Sequence, residues 1–342
     1  MEVVPPFGQT RMLEVTDPSG VGDARRQAAT MARQQGLDED RRGRVALVVT
    51  EAGNNLVRHA KDGCILLQRV AWETHRGVEV IALDRGPGMN DVSRCLRDGY
   101  STIGTSGTGL GAMSRLADDF TCYSRPGQGS AVLARVWESQ FNRPRPPLEV
   151  GGLSVPIAGE KVGGDAWAVR PTQRGLRLLM ADGLGHGPDA SEASQRAVER
   201  FLELDLPPQP LLNQMHRSLR STRGAALAVA EVSDPPEPVR FWGIGNISAT
   251  ILTGSKTHHL VSGHGTVGLQ VPQLREYTGE WSEDSLLVMH SDGLTDRWDL
   301  RRYAGLARQD PSLVAGVLYR DHHRLRDDVS VAVVRPRRPA RP

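Results

Sequence analysis

The sequence predicts two α/β domains in a chain of 342 residues, an α/β sandwich followed by a larger two-sheet sandwich. Three observations carry that expectation. The length is enough for two cores of ordinary size. The stretch SQFNRPRPPLEVGG, near residues 139–152, replaces periodic hydrophobics with proline and arginine and reads as a connector. Before it helices and strands are mixed, whereas after it strand patterns predominate.

Taken in order, helices are expected near 22–36 and 41–60, then strands near 64–72 and 77–84. A glycine-rich loop at 99–111 leads into a helix at 109–118, with strands near 120–125 and 129–137, so helices lie over one sheet face. After the connector come strands near 152–158, 163–170 and 175–181, then helices near 187–204 and 209–221. Strands near 224–232, 238–246, 248–254 and 284–290 follow, with short helices between 293 and 320 and a last strand at 328–335. Two sheets with two central helices is the natural packing for so many strands. The domains are therefore 1–138 and 150–335, with a Pro/Arg linker at 139–149 and a basic tail at 336–342.

Composition narrows the function classes. The formal net charge is +2, and residues 1–138 carry 17 basic and 17 acidic side chains, so neither nucleic acid nor an acidic membrane surface is indicated as a partner. Cys64, Cys95 and Cys122 are widely spaced, odd in number and without zinc spacing, which suits a reducing cytoplasm. No signal peptide and no run approaching 18 apolar residues is present. The chain is expected to be soluble and cytoplasmic.

Within RVALVVTEAGNNLVRHA, the residues Val45, Val48, Val49, Ala52 and Leu56 share one helix face. Glu51 and Asn55, one turn apart, sit at its edge, where they either form a solvated border or point into a cleft. None of the three lysines (Lys61, Lys161, Lys256) stands in a GxxxxGK context followed by Ser or Thr, which argues against a Walker-type ATPase. Another nucleotide signature is present. VEVIALDRGPGM is an apolar strand ending in Asp84, followed by Gly86 and Gly88, and GTSGTGLGAM feeds Gly107, Gly109 and Gly111 into a helix. Glycines let the backbone approach phosphates, and a helix N-terminus offers free N–H groups.

The order ExxxN, DxGxG, GxGLG resembles the GHKL (Bergerat-fold) ATPases, and DGYSTIGTSGTGLGAMSRLADDF resembles the RsbT-like serine/threonine switch kinases among them. The match covers roughly residues 11–138. The resemblance implies that Asn55 ligates Mg²⁺ on ATP and that Glu51 acts as general base or orients the acceptor hydroxyl. It implies that Asp84 accepts from the adenine amino group beside Gly86 and Gly88, and that Gly107, Gly109 and Gly111 wrap the phosphates. Phosphoryl transfer asks for these parts: a metal, backbone donors and little covalent chemistry. Histidine kinases share these boxes, but no dimerisation helix with a phospho-accepting histidine precedes them; His59 reads as a packing or hydrogen-bonding residue at a helix end.

The second half places carboxylates at strand ends: Asp165 in VGGDAW, Asp182 in LLMADGLGHG, Asp292 in LLVMHSDGLTD, and Asp327 with Asp328 in LRDDVSVAVV. One Asp-Gly after a strand is usually a turn. Four on an alternating β framework can converge on two hard cations that activate water for attack on phosphorus. The order GGD, ADGxGHG, SDGLTD, DDVS resembles the PPM phosphatases of the SpoIIE-like and RsbX-like branch, over roughly 150–335, with the α-β-β-α sandwich of that family.

By that resemblance Asp182 bridges two Mn²⁺ or Mg²⁺ ions with the Gly183 carbonyl as a further ligand, Asp165 helps hold the first, and Asp292 and Asp327 hold the second. The choice of Asp327 over Asp328 stays open. His186 is either a proton donor to the leaving oxygen or a turn residue, and Asn246 in GIGNISATIL lies near the site. The whole implies a partner-switching kinase–phosphatase acting on STAS-domain proteins of the stressosome-scaffold or anti-anti-sigma type, with a downstream phosphatase or sigma regulator as a further partner. Two alternatives remain: a phosphatase whose GHKL domain only binds ATP or a sigma regulator, and an ATP-sensing lid that regulates the phosphatase.

Overall fold

The computed structural model describes residues 9–96, 109–140, 146–271 and 274–337. Two compact units emerge, one from the described residues of Thr10–Arg143 with Arg308–Arg320, the other from Pro144–Ala307 and Asp321–Pro342.

In the first unit a five-stranded antiparallel sheet runs in the order β1-β2-β3-β5-β4, from β1 (Arg11–Glu14), β2 (Cys64–Trp72), β3 (His75–Asp84), β4 (Asp119–Ser124) and β5 (Ser130–Trp137). One face is covered by α1 (Pro18–Gln34) and α2 (Glu39–His59), and the short α3 (Val92–Cys95) and α4 (Gly109–Leu116) precede β4. Asp17 caps α1 by accepting from the Ser19 and Gly20 amides, and Asp38 caps α2 by accepting from Arg41 N. The apolar face of α2 buries Val45, Val48, Val49, Ala52 and Leu56 against Ile65, Leu67, Val78 and Val80 of the sheet. Glu51 and Asn55 are left half-buried at its edge.

The second unit stacks two antiparallel sheets. The first has the order β13-β10-β9-β8-β7, from β7 (Asp165–Thr172), β8 (Gly175–Gly183), β9 (Ala225–Ser233), β10 (Val239–Ile244) and β13 (Tyr277–Gly279). The second has the order β12-β11-β14-β15-β6, from β6 (Leu148–Val155), β11 (Ser248–Thr253), β12 (Lys256–Leu260), β14 (Ser285–His290) and β15 (Val329–Pro336). Alternate residues make the two cores. Val169, Leu178, Met180, Ala228 and Phe241 meet Ile251, Leu287, Met289 and Val334 between the sheets. Ala168, Leu179, Ala181 and Val229 instead pack under α5 (Pro188–Glu203) and α6 (Pro208–Ser218). Those helices are therefore not central. They lie on the outer face of one sheet, because each strand has two apolar faces to cover.

The last helix, α7 (Pro311–His322), differs from expectation in its placement. The sequence places 308–320 in the domain 150–335, yet this segment packs with the first unit. Leu313, Val314, Ala315, Val317 and Leu318 are all fully buried, and a helix apolar all round must be enclosed. Its Gly316 lies against Ile81 and Leu83, on the sheet face that α1 and α2 leave open. The first sheet thus has helices on both faces, not one. Among the described residues no helix is long and apolar enough to cross a membrane.

Candidate functional site

Two clusters of the expected residues form, one in each unit. In the first, α2 carries Glu51 and Asn55 towards the N-terminus of α4. A side chain at Gly109 would stand 3.1 Å from Asn55 Oδ1 and 3.4 Å from Glu51 Oε2, so residues more than fifty positions apart come together. Glycine there keeps the first amides of α4 open beside the amide and the carboxylate. Gly111 is buried one half-turn further on. Gly107 lies outside the described residues, as does most of the 99–111 loop.

One turn beyond Asn55, at the C-terminus of α2, the chain after β3 folds back on the helix. A Cβ at Gly86 would approach His59 O to 2.7 Å, and one at Gly88, which has φ +69°, would overlap Arg125 O at 1.9 Å. Only glycine allows both the conformation and the closeness at residue 88. Asp84 ends β3 and accepts from Gly86 N at 2.6 Å. Burial raises its carboxyl above the ordinary range, and the Gly86 amide and Arg320 pull it back down. That is a half-buried acceptor at the base of a glycine turn, suited to an exocyclic amine. His59 is exposed and not a packing residue.

In the second unit four carboxylates gather at one end of the stacked sheets. Asp165 and Asp182 are register partners on β7 and β8. Asp292 follows β14 and Asp327 precedes β15. Asp165 is raised well above the carboxylate range, by burial first and then by Asp182, with Ser291 opposing. Asp182 is pushed up to about 7 by burial, then by Asp292, Asp327 and Asp328. Asp327 is raised by burial and Asp292. Acids that destabilise one another's charge are the set a divalent cation offsets, and their hard oxygens suit Mg²⁺ or Mn²⁺. Among the described residues no three acidic, histidine or cysteine side chains close on one point. The remaining ligand positions would fall to water, phosphate and the Gly183 carbonyl.

Three residues organise this cluster. Asn246 donates to Asp292 Oδ2 at 2.7 Å and also hydrogen-bonds Asp182. Ser291 donates to Asp165 Oδ2 at 2.5 Å while accepting from Ser330 N at 2.9 Å. Asp328 is 2 % exposed and accepts from Ile157 N at 2.7 Å and Gly164 N at 2.5 Å. Both its oxygens hold the loop that presents Asp165, whereas Asp327 accepts from Asp328 N through Oδ1 at 2.9 Å. Ser291 and Asp328 were not readable as supports, since neither spacing nor residue type announces an acceptor of backbone amides. His186 is exposed, with Nδ1 3.1 Å from Glu160 Oε1, as a turn residue would be.

Known proteins match the same division. Residues 15–136 match the family described as histidine kinase-like ATPase domain, and residues 172–337 match that of stage II sporulation protein E (SpoIIE). The serine/threonine-protein kinase RsbT of Bacillus subtilis (strain 168) is 32 % identical over 114 residues, 33 % of this chain and 86 % of RsbT. The phosphoserine phosphatase RsbX of the same organism is 21 % identical over 140 residues, 40 % of this chain and 69 % of RsbX. A solved structure from work on the bacterial stressosome, a modular system adapted to control secondary messenger signalling, is 30 % identical with a TM-score of 0.51, covering 55 % of this chain and 99 % of its own. Such relatives imply use of ATP and of a divalent metal.

Proposed function

We propose, for a chain that belongs to the RsbT family of serine/threonine kinases and carries a SpoIIE-type phosphatase domain, that it adds and removes phosphate on Ser/Thr of STAS-domain partners in a cytoplasmic partner-switching pathway. The partners are of the stressosome-scaffold or anti-anti-sigma type. One observation supports catalysis over mere binding in the first unit: Glu51 is retained, and it stands with Asn55 beside Gly109 at the start of α4.

In this reading Asp84 accepts the adenine amine, Gly86 and Gly88 let the base close on the turn, and Gly107, Gly109 and Gly111 bring amides to the phosphates. Asn55 supplies an amide oxygen to Mg²⁺. Glu51 takes or orients the acceptor hydroxyl proton. In the second unit Asp165, Asp182, Asp292, Asp327 and the Gly183 carbonyl hold two Mn²⁺ or Mg²⁺. Bound there, the metals would supply a water acidic enough to attack at neutral pH and would neutralise phosphoryl charge. Asn246 orients Asp292 and Asp182, Ser291 orients Asp165, and Asp328 fixes the Gly163–Gly164 loop.

The test is quantitative mass spectrometry of candidate STAS proteins incubated with ATP and each variant. Asp182→Asn should raise the steady phosphorylation level, and Glu51→Ala should lower it. If the acceptors differ, each change moves only its own acceptor. Phosphate removal without any phosphate transfer would leave the first unit a binding module. No change on any partner with either variant would sink the switch itself.

A further inference from the structure

Helix α7 is tied at both ends to the sheet that carries Asp84. At its start Asp310 accepts from Ser312 N at 2.9 Å and pairs with both terminal nitrogens of Arg135 at 2.7 and 2.8 Å. Arg135 in turn donates to Glu79, which accepts from Gln68, each at 2.5 Å. Gln68, Glu79 and Arg135 stand opposite one another on β2, β3 and β5. This buried polar rung fixes where the helix begins.

At its other end the helix reaches the adenine turn. Arg320, 5 % exposed, donates Nη1 to Asp84 O at 2.8 Å and to Ser130 O at 3.4 Å. Arg85, the next residue after the anchor, donates its guanidinium back to Arg320 O. The Asp84 carbonyl and the Arg85 side chain are thus both tied to one helical residue, while Arg85 N donates to Lys61 O at 2.9 Å. The peptide between residues 84 and 85 sets the direction in which the Asp84 carboxylate leaves the strand, and Gly129 packs directly on the Asp84 carbonyl.

We propose that Arg320 is a positioning residue of the nucleotide site, so that the site is complete only with α7, a segment supplied from within the phosphatase half of the sequence. The proposal rests on Asp84 as the adenine anchor. Arg320 touches neither base nor phosphate in this arrangement. It acts by holding the Asp84 backbone, and so its removal loosens recognition of the base and leaves the phosphate-binding amides of α4 in place. A guanidinium suits the role because it serves two carbonyls at once, where an ammonium serves one less rigidly.

The experiment uses the full chain with Mg·ATP by calorimetry and Mg·GTP by competition against bound ATP. Wild type should prefer ATP. Arg320→Gln should lower ATP affinity by about tenfold, the scale of one lost charge-assisted hydrogen bond, while GTP affinity holds, so the base preference falls by the same factor. Asp84→Asn should show a similar or larger fall in preference, and Arg320→Lys an intermediate one. An unchanged ATP:GTP ratio in Arg320→Gln overturns the proposal, as does a parallel loss for both nucleotides, which would mark a merely structural role. If the glutamine variant does not fold, the lysine variant carries the same comparison: an intermediate ratio supports the proposal and a wild-type ratio overturns it. Wild type that binds no ATP would overturn the nucleotide site and this proposal together.

Discussion

At the end of β3, glycines at 86 and 88 strip the chain of side chains so that backbone can close on backbone. At the ends of β7 and β8, two carboxylates face each other across an antiparallel pair, and charge is concentrated there. The first candidate site is made by space and by the amides at the start of α4, with Asp84, whose carboxyl burial raises, at the turn. The second is made by mutual repulsion, held in place by Asn246, Ser291 and Asp328. The difference teaches how each should fail. A site of amides tolerates the loss of one side chain and keeps its ligand. A site of charges loses its ligand when one central charge goes.

The comparison breaks most visibly at Asp182. Asp182→Asn removes the charge that both metals would share, and an uncharged ligand holds a divalent cation less tightly. Hydrolysis of p-nitrophenyl phosphate should fall to the level of chelator-treated wild type, whereas ATP binding in the first unit stays. Metal-independent hydrolysis that survives Asp182→Asn would show that the carboxylates do not carry the reaction.

In the first unit the corresponding loss should be partial and separable. Glu51→Ala should reduce phosphate transfer by about 10²–10⁴-fold, the usual contribution of a general base, with ATP affinity little changed because Glu51 acts on the acceptor. Transfer at the wild-type rate would make Glu51 a helix-edge residue and nothing more.

Legibility in the sequence followed the same division between space and charge. Strand β2 is expected at 64–72 and spans Cys64–Trp72, because its apolar stretches CILL and VAW are short and lie between the turns at Asp62–Gly63 and Glu73–Thr74. The edge strand β12 reads KTHHL, with four exposed residues and no alternation, and it was missed for that reason. Strand β1, four residues long, carries no period that a window can detect. The order of acidic and glycine motifs singled out Glu51, Asn55, Asp84 and the four aspartates, since each of them stands in a recognisable motif. It left Asp327 and Asp328 undivided, because only the amides of Ile157 and Gly164 distinguish them. The sequence reading also put α7 in the second domain, because its apolar residues on every side say that it is enclosed but not by which unit.

Charge concentration also gives the cluster of aspartates a pH dependence. Asp182, pushed up to about 7 in the folded chain, titrates near 4 when unfolded. Its contribution to stability is therefore full below about pH 4 and is lost as pH rises through about 7. A divalent cation binds the charged form, so it should restore what repulsion removes. The rise in melting temperature caused by Mn²⁺ should grow between about pH 5 and about pH 7.5. A constant rise across that range would place the binding charges elsewhere.

The smallest expected effect joins the two sites instead of separating them. Arg320 grips the Asp84 peptide, and the chain then runs on to Asp327 within seven residues. That short run is itself fastened beside Asp292: Thr295 N donates to His322 O at 3.0 Å, and Arg324 N donates to Gly293 O at 2.7 Å. A ligand that tightens the Asp84 turn would then hold one end of a short chain segment whose other end carries Asp327. Coupling through a single helix end should sit at the low side of measured values, about fivefold in affinity. With free Mn²⁺ set by a metal buffer, saturating Mg·ADP should shift the Mn²⁺ concentration for half-maximal hydrolysis by that factor. Mn²⁺ should shift ADP affinity equally, since linkage between binding sites is reciprocal. Arg320→Gln should remove both shifts. Wild type whose Mn²⁺ and ADP affinities ignore one another would mean that α7 anchors the turn without carrying any signal along it.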